Sequence, residues 1–163
     1  MSFRVGVITV SDKGSRGERE DLSGREIIGM ISGIDAVVEE TIIIPDETQQ
    51  IKETLITYAD VKKLDLILTT GGTGVSPRDL TPDATLAVID REVPGMAEAM
   101  RRESAALTPH AMISRAVAGI RGRSLIINLP GSPKGVRENL AVVLPALKHA
   151  IEKIQGDDRD CAV

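Results

Sequence analysis

The chain has 163 residues, of which 42% are hydrophobic, a size and composition typical of one domain with a substantial core. The formal net charge is −4 and the only aromatic residues are Phe3 and Tyr58. This composition argues against binding to nucleic acid or to an anionic membrane, and against base stacking. One cysteine and two histidines cannot by themselves form an internal disulfide or a zinc site, so any bound metal should be a Mg²⁺-like ion held by carboxylates.

The sequence carries no pattern typical of a targeting or membrane-spanning segment. Its first residues run directly into an apolar strand pattern, and no apolar stretch approaches about 18 residues. The lone Cys161 lies in a polar tail, which favours a reducing compartment. We expect a cytoplasmic protein with a single domain over 1–156 and a polar C-terminal tail over 157–163.

Strand and helix patterns alternate along the chain. Apolar, β-branched runs predict strands, and apolar residues that recur every three or four positions predict amphipathic helices between them. The segment from 113 to 129 predicts a hairpin that turns at Arg121-Gly122. Strands are predicted over 3–10, 37–44, 64–70 and 124–129, and helices are predicted to begin near residues 22, 46, 81, 94 and 133.

Three positions carry specific expectations about helix ends. Asp46 is a natural N-cap, with Gln49 three residues later in the capping-box position. Thr81 and Pro82 are typical of the N-cap and first position of another helix. Pro145 falls inside the last amphipathic pattern, where it costs about 3 kcal/mol, so we expect a kink or a restart there.

Strands that are apolar almost throughout indicate a sheet buried on both faces. With the alternating helices they predict an α/β fold of three layers, α/β/α, with a mostly parallel central sheet and a small hairpin. Because the carboxyl ends of parallel strands meet at one edge of the sheet, the loops that follow them should converge on a ligand. These loops begin at Ser11-Asp12, Pro45-Asp46, Thr69 and Asn128.

The run from Thr69 to Gly74 follows a buried strand and is rich in glycine and threonine. Glycines remove the Cβ and permit positive φ, so backbone amides can approach an anion, and the threonine hydroxyls add donors. For a glycine pair alone, an ordinary tight turn is an equally good reading. No Lys-Ser or Lys-Thr follows for a P-loop, and Pro77 stands where a dinucleotide-binding motif needs its third glycine. The run therefore predicts a phosphate site of another kind.

Two carboxylates, Asp46 and Asp79, are expected near this glycine loop. Taken singly they could be an N-cap and a turn residue. Together beside a phosphate they would be repelled, because a carboxylate about 5 Å from a phosphate oxygen is disfavoured by roughly 3 kcal/mol at an effective dielectric of about 20. A bridging Mg²⁺, held by these carboxylates and by ligand phosphates, resolves that repulsion.

A second candidate site follows the last strong strand at Asn128-Leu129-Pro130-Gly131-Ser132-Pro133. The amide of Asn128 and a stiff turn before a helix N-terminus favour an anion or a heterocycle, although a plain strand-to-helix turn is the alternative. Arg115 could pair with a phosphate or form only a surface ion pair, and the adjacent Ser114 is the stronger candidate. The sequence has no Ser-His arrangement that supports hydrolysis.

Taken in order, these motifs resemble the MogA/MoaB family over roughly residues 4–156. The resemblance extends to the corresponding domains of gephyrin and of plant two-domain molybdenum-cofactor proteins. It implies a molybdopterin-binding fold, a homotrimer or hexamer, and Mg²⁺- and ATP-dependent adenylylation of the terminal phosphate of molybdopterin with release of pyrophosphate. The product would pass to a downstream molybdate-inserting enzyme. The motifs are Pro45-Asp46-Glu47, Thr70-Gly71-Gly72-Thr73-Gly74, Pro77-Arg78-Asp79, Thr81-Pro82-Asp83-Ala84-Thr85, Glu92-Val93-Pro94-Gly95, Ser114-Arg115 and Asn128-Leu129-Pro130-Gly131.

The resemblance also assigns roles to residues of this chain. Asp46 and Asp79 match the catalytic aspartates of the family and are expected to hold Mg²⁺, and Ser114 matches a position tied to pterin binding or turnover. The expected substrate- and nucleotide-binding residues are Ser11, Asp12, Thr70, Gly71, Gly72, Thr73, Gly74, Asn128, Pro130, Gly131 and Ser132.

The sequence is also compatible with two other functions. Some MoaB-type relatives lack the activity while keeping the fold, so a noncatalytic pterin-binding or assembly subunit of the same pathway is the alternative to an enzyme. The retained aspartates favour the enzyme. An electron-transfer flavoprotein of similar topology would place aromatic residues in the ligand loops, and these loops have none.

Overall fold

The structure is a computed structural model that describes residues 2–161. Residues 162 and 163 of the predicted tail lie outside this part. The strands are β1 (Phe3–Val10), β2 (Ala36–Ile44), β3 (Leu66–Thr70), β4 (Arg91–Glu92), β5 (Ala118–Arg121) and β6 (Ser124–Leu129). The α-helices are α1 (Asp12–Ser15), α2 (Leu22–Ile31), α3 (Thr48–Ile56), α4 (Thr81–Val88), α5 (Pro94–Ala105) and α6 (Pro133–Ile154). A π-helical turn, Thr57–Val61, continues α3, and a 3₁₀-helix, Pro109–Ile113, follows α5.

The strands form one six-stranded sheet in the order β2-β1-β3-β6-β5-β4. The first four strands of that order pair in parallel, and β5 is antiparallel to both of its neighbours. Strands β5 and β6 form the predicted hairpin. Because Arg121 pairs with Ser124, the turn residues are Gly122 and Arg123, one position later than predicted, and Gly122 takes the left-handed conformation with φ 56°.

Helices cover both faces of the sheet, as the apolar strands predict. Alternate residues of each strand point to opposite faces. Val5 and Leu66 pack with α2, α5 and α6 in one core, and Ile8 and Ile67 pack with α3 and α4 in the other. The three-layer α/β/α prediction is therefore confirmed, and the sheet is mostly parallel.

Two predicted N-caps are each wrong by one residue. Helix α3 begins at Thr48 with Glu47 at the N-cap position, and Asp46 lies outside it. Helix α4 has Leu80 at its N-cap, so Thr81 is its first residue. Both side chains are used elsewhere, because the Asp46 carboxylate accepts from a backbone amide of another loop and the Thr81 hydroxyl donates to the Gly71 carbonyl.

Helix α6 runs without a break from Pro133 to Ile154, so of the kink or restart expected at Pro145, the restart does not occur. Proline removes the hydrogen bond that residue 145 would donate to the carbonyl of Ala141. Both Ala141 and Pro145 are exposed, and water can satisfy that carbonyl. Among the described residues, no helix is both long and apolar enough to span a bilayer.

Candidate functional site

The loops after β1, β2, β3 and β6 meet at one edge of the sheet, as predicted, and form a cleft of about 640 Å³, which we call the first cleft. Parallel pairing places the carboxyl ends of these strands side by side. Of the residues predicted from the sequence, the two aspartates Asp46 and Asp79 line this cleft together with Ser11, Thr70, Gly71, Gly72, Gly131 and Ser132.

The glycine loop, residues 71–74, lines this cleft through Gly71 and Gly72 and depends on having no side chains at these two positions. Gly71 and Gly72 have φ values of 99° and 67°, a region that side chains disfavour. A Cβ at Gly71 would lie 2.3 Å from the carbonyl oxygen of Val10, and one at Gly72 would lie 2.4 Å from the Thr81 hydroxyl. The neighbouring groups therefore approach this loop as closely as glycine allows.

The amides of this loop provide the donors expected of a phosphate site. The Gly71 amide is used internally, because it donates to the carbonyl of Leu129. Within residues 2–161, the amides of Gly72, Thr73 and Gly74 have no hydrogen-bond acceptor. Consecutive free amides in a glycine turn attract an anion, so the loop is arranged to bind one.

The carboxylates of Asp46 and Asp79 flank the glycine loop, each held through one oxygen. Asp46 Oδ2 accepts from the amide of Asp12 at 2.9 Å, and Asp79 Oδ2 accepts from the amide of Ser76 at 2.9 Å. Among the described residues, neither Oδ1 atom has a donor. Each aspartate thus keeps one oxygen for a ligand of the first cleft.

Electrostatics also indicate a cation at these aspartates. Burial raises the pKa of Asp46 above its ordinary value, the hydrogen bond from Asp12 opposes the rise, and the charges of Asp12 and Asp79 add to it. A bound cation would relieve both the burial penalty and the repulsion. Within residues 2–161 no group of three or more His, Cys, Asp or Glu side chains could hold a metal alone. Two carboxylates instead fit Mg²⁺, which binds through one or two carboxylates together with substrate phosphates.

Asp12, predicted as a binding residue, faces away from the first cleft. Its carboxylate accepts from the guanidinium of Arg78 at 2.7 and 3.0 Å and from the amide of Asp46 at 3.0 Å. Arg78 also donates to the Asp46 carbonyl and to Glu47. Asp12 and Asp46 thus bind each other's backbone, and Arg78 joins both to the loop that carries Asp79.

Opposite effects on stability should follow from neutralising Asp46 and Asp12. Since burial raises the pKa of Asp46, its charge opposes folding at neutral pH, and this penalty fades as pH falls through the raised pKa toward the ordinary value of about 3.9. The Arg78 guanidinium holds the pKa of Asp12 below its usual range, so that charge favours folding above about pH 3.9, a contribution lost at lower pH. We expect Asp46→Asn to raise the melting temperature of the ligand-free protein at pH 7 and Asp12→Asn to lower it.

Thermal unfolding of both variants and of the unmodified chain at about pH 7 and about pH 3 checks this pair. Both differences should shrink near pH 3, because the carboxyl groups are then partly protonated in the unfolded chain as well. Equal shifts of the same sign at neutral pH would contradict the opposite roles assigned to the two charges.

A second cleft of about 360 Å³ lies on the other side of the glycine loop. Thr73, Gly74, Ser114, Pro130 and Ser132 of the predicted set line it. Ser114 therefore lines the second cleft, whereas Asp46 and Asp79 line the first. Arg101, His110 and Lys134, which sequence reasoning did not place in a site, add basic groups to this wall.

Asn128 lines neither cleft. Its side chain is 0% exposed, donates to the Thr69 and Thr85 hydroxyls at 3.0 Å each, and accepts from the amide of Val117 at 3.1 Å. These bonds join β6 to β3, to α4 and to the segment before β5. The structure thus places Asn128 behind the site, where it can position the loops but touches no cleft surface.

Residues of the loop before α2 and the start of that helix also line the first cleft and were missed from the sequence. Asp21 caps α2 through the Gly24 amide and accepts from the Thr9 hydroxyl, and Ser23 donates to the Gly131 carbonyl at 2.6 Å. An N-cap pattern before an apolar run could have identified Asp21 as a cap. It could not have shown that this cap faces a cleft.

The chain matches one family model and is similar to several known proteins. A family model described as a probable molybdopterin binding domain matches residues 6–149. The chain is 42% identical over 159 residues to the molybdopterin adenylyltransferase of Helicobacter pylori strain J99, covering 96% of this chain and 90% of that protein. It is 46% identical over 162 residues to gephyrin of Dictyostelium discoideum, covering 93% of this chain but only 22% of the length of that gephyrin. The crystal structure of the molybdopterin biosynthesis enzyme MoaB from Thermus thermophilus is similar with a TM-score of 0.90 and 55% identity, covering 94% of this chain and 97% of that one.

Proposed function

Because the chain belongs to the family of probable molybdopterin-binding domains, we propose that it catalyses the adenylylation of molybdopterin in molybdenum cofactor biosynthesis. The substrates would be molybdopterin and ATP, and the products adenylyl-molybdopterin and pyrophosphate. The observation that carries this proposal is the glycine loop with its three consecutive amides that have no acceptor among the described residues, beside which Asp46 and Asp79, each with one carboxylate oxygen that has no donor there, line the first cleft.

The two clefts suit a reaction that joins two substrates. They share the glycine loop and Ser132 as a common wall, so a phosphate held by the loop amides is reachable from both sides. The first cleft contains the carboxylates, and the second is lined by basic side chains and Ser114. This arrangement would bring the terminal phosphate of the pterin next to the α-phosphate of the nucleotide.

The chemistry requires little acid–base help from the protein. An oxygen of the molybdopterin phosphate forms a bond to the α-phosphorus of ATP, and the bond from that phosphorus to the bridging oxygen of pyrophosphate breaks. A phosphate monoester with a second pKa of about 6 is largely dianionic at neutral pH, so its oxygen needs no strong general base. Catalysis then depends on positioning the substrates and on stabilising the charge that moves to pyrophosphate.

Each named residue has a role in that scheme. The amides of Gly72, Thr73 and Gly74 would bind phosphate oxygens, and Asp46 and Asp79 would hold Mg²⁺. The chemistry supplied by the bound ion is neutralisation of charge on the ATP phosphates and on the departing pyrophosphate. Asn128 and Asp12 would act through the loops that they hold.

A direct assay tests this function. The purified protein, incubated with molybdopterin, ATP and Mg²⁺, should form adenylyl-molybdopterin and pyrophosphate in equal amounts, and removing Mg²⁺ with EDTA should abolish both. Folded protein that binds molybdopterin but forms neither product would overturn the enzyme and support the noncatalytic MoaB-like subunit instead. The free carboxylate oxygens in the first cleft favour the enzyme, since pterin binding alone gives them no role.

We also propose that the chain assembles as a homotrimer or hexamer and passes its product to a molybdate-inserting enzyme. Exposed apolar side chains support assembly, because Leu107, Met112 and Ile113 are 67%, 74% and 51% exposed around one short segment. Light scattering would give the mass of the assembly.

A further inference from the structure

Arg115 lines neither of the two clefts, yet it contacts the glycine loop and the loop end that carries Asp79. Its amide donates to the Thr73 carbonyl at 2.8 Å, and its Nε donates to the Gly74 carbonyl at 2.8 Å. Its Nη2 donates to the carbonyl of Asp79 itself. One residue therefore binds three carbonyls of the segment that forms the wall between the clefts.

The same guanidinium also binds the helix that follows this loop. Nη1 and Nη2 of Arg115 donate to the two carboxylate oxygens of Asp83, in the first turn of α4, at 3.2 and 3.0 Å. The two ends of the loop are thus held at one point. A planar guanidinium can do this because its five donors have a fixed geometry.

The segment 75–79, which we call the Asp79 loop, has few other restraints. Residues 75–78 are exposed, and within this turn the Ser76 amide bonds Asp79 Oδ2 while the Asp79 amide bonds the Ser76 carbonyl. These bonds fix the shape of the turn but do not attach it to the rest of the domain. Attachment comes from Arg78, which binds Asp12, and from Arg115.

Arg115 is itself held by a long helix. Arg101 of α5 donates to the carbonyl of Ala116 at 2.8 Å and more weakly to that of Ser114 at 3.4 Å. The segment 114–116 is therefore fixed to α5, and Arg115 carries that restraint to the loop. A continuous set of hydrogen bonds runs from α5 to the backbone of Asp79.

We propose that Arg115 is a positioning residue for adenylyl transfer, which fixes the glycine loop and the Asp79 loop so that the Asp79 carboxylate lines the first cleft. This inference rests on the proposed function. Arg115 acts through Asp79 and the loop, and contacts with substrate are not part of its role. Misplacement of a catalytic group by about 1 Å can lower a rate by about 100-fold, so loss of this restraint should be visible in kcat.

The test compares Arg115→Met with Arg121→Met. Arg121 is a matched control, because its guanidinium also binds a carboxylate, Asp60, and a backbone carbonyl, that of Val88, but lies outside both clefts. We expect kcat to fall about 100-fold in Arg115→Met while KM for ATP changes less than about 3-fold, and both to stay within about 3-fold in Arg121→Met.

Arg115→Lys separates positioning from charge and serves as the second variant if Arg115→Met folds poorly. A lysine keeps the positive charge, but its single amine cannot reach the carbonyls of Gly74 and Asp79 and both oxygens of Asp83 together. Its kcat should stay at least about 10-fold below that of the unmodified chain. Full recovery by lysine would overturn the inference in favour of a simple charge effect.

Amide hydrogen exchange without substrates gives a readout that does not depend on turnover. Exchange over residues 71–80 should be faster in Arg115→Met than in Arg121→Met when the two variants have equal free energies of unfolding. Unchanged exchange and unchanged kcat would overturn the inference. The two proposals can fail separately. If the unmodified chain forms no adenylyl-molybdopterin, the proposed function is overturned. Faster exchange over residues 71–80 in Arg115→Met would still support the coupling of Arg115 to the Asp79 loop.

Discussion

Asp79→Asn should lower adenylyl transfer by about 10³-fold. The variant would lose one of the two carboxylates proposed to hold Mg²⁺, whose neutralisation of phosphate charge would be worth several kcal/mol in the transition state. The asparagine side chain can still accept from the Ser76 amide, so the turn that bears it should keep its shape. Molybdopterin affinity should stay within about 3-fold, since the loop amides and the second cleft are unchanged. Single-turnover kinetics and equilibrium dialysis measure the two quantities.

Asp60→Asn is the control for this experiment. Asp60 is another aspartate, which forms an ion pair with Arg121 and lines neither cleft. Its replacement should leave adenylyl transfer within about 2-fold of the unmodified rate. A normal rate in Asp79→Asn would remove Asp79 from catalysis.

Gly71→Ala should be the most damaging small substitution in the site, for reasons of backbone geometry alone. The new Cβ would lie 2.3 Å from the Val10 carbonyl oxygen, and φ at this position is 99°. Left-handed backbone costs an alanine about 1–2 kcal/mol, and relieving a contact with a core strand adds about 1–3 kcal/mol more. We expect a loss of about 2–5 kcal/mol in the free energy of unfolding, measured by urea denaturation.

Gly122→Ala separates the cost of positive φ from the cost of the contact with the Val10 carbonyl oxygen. Gly122 also has positive φ, 56°, but no atom lies within 4 Å of its added Cβ. Its replacement should cost only the conformational part, about 1–2 kcal/mol. Equal losses in the two variants would show that the contact with Val10 does not matter.

Most of the fold follows from the sequence because the central strands are buried on both faces. Fully buried parallel strands leave continuous apolar runs, so β1 and β6 were predicted at their observed bounds. The elements that were missed carry no such pattern. Helix α1 has four residues without an apolar face, and both residues of β4 are exposed.

The part of the candidate site that lies within one short segment of the chain could be predicted from the sequence. The glycine loop and Asp79 are close in sequence, and the rule for parallel sheets places Asp46 beside them. The N-cap assigned to Asp46 was wrong because its carboxylate binds the amide of Asp12, 34 residues away, and such a pairing leaves no local signal. The Asn128 side chain likewise binds residues that lie 11, 43 and 59 positions away, and the Arg115 guanidinium binds residues 32 to 41 positions away.

The glycine loop lies between the two clefts, because Gly71 and Gly72 line the first and Thr73 and Gly74 line the second. If each substrate occupies its own side, the product is a single molecule that engages both. When one half of a two-part ligand is bound, the other half has an effective concentration of about mM or more at its own site, so the whole dissociates far more slowly than either part. The wall that lets the substrates meet would therefore also retain what they form.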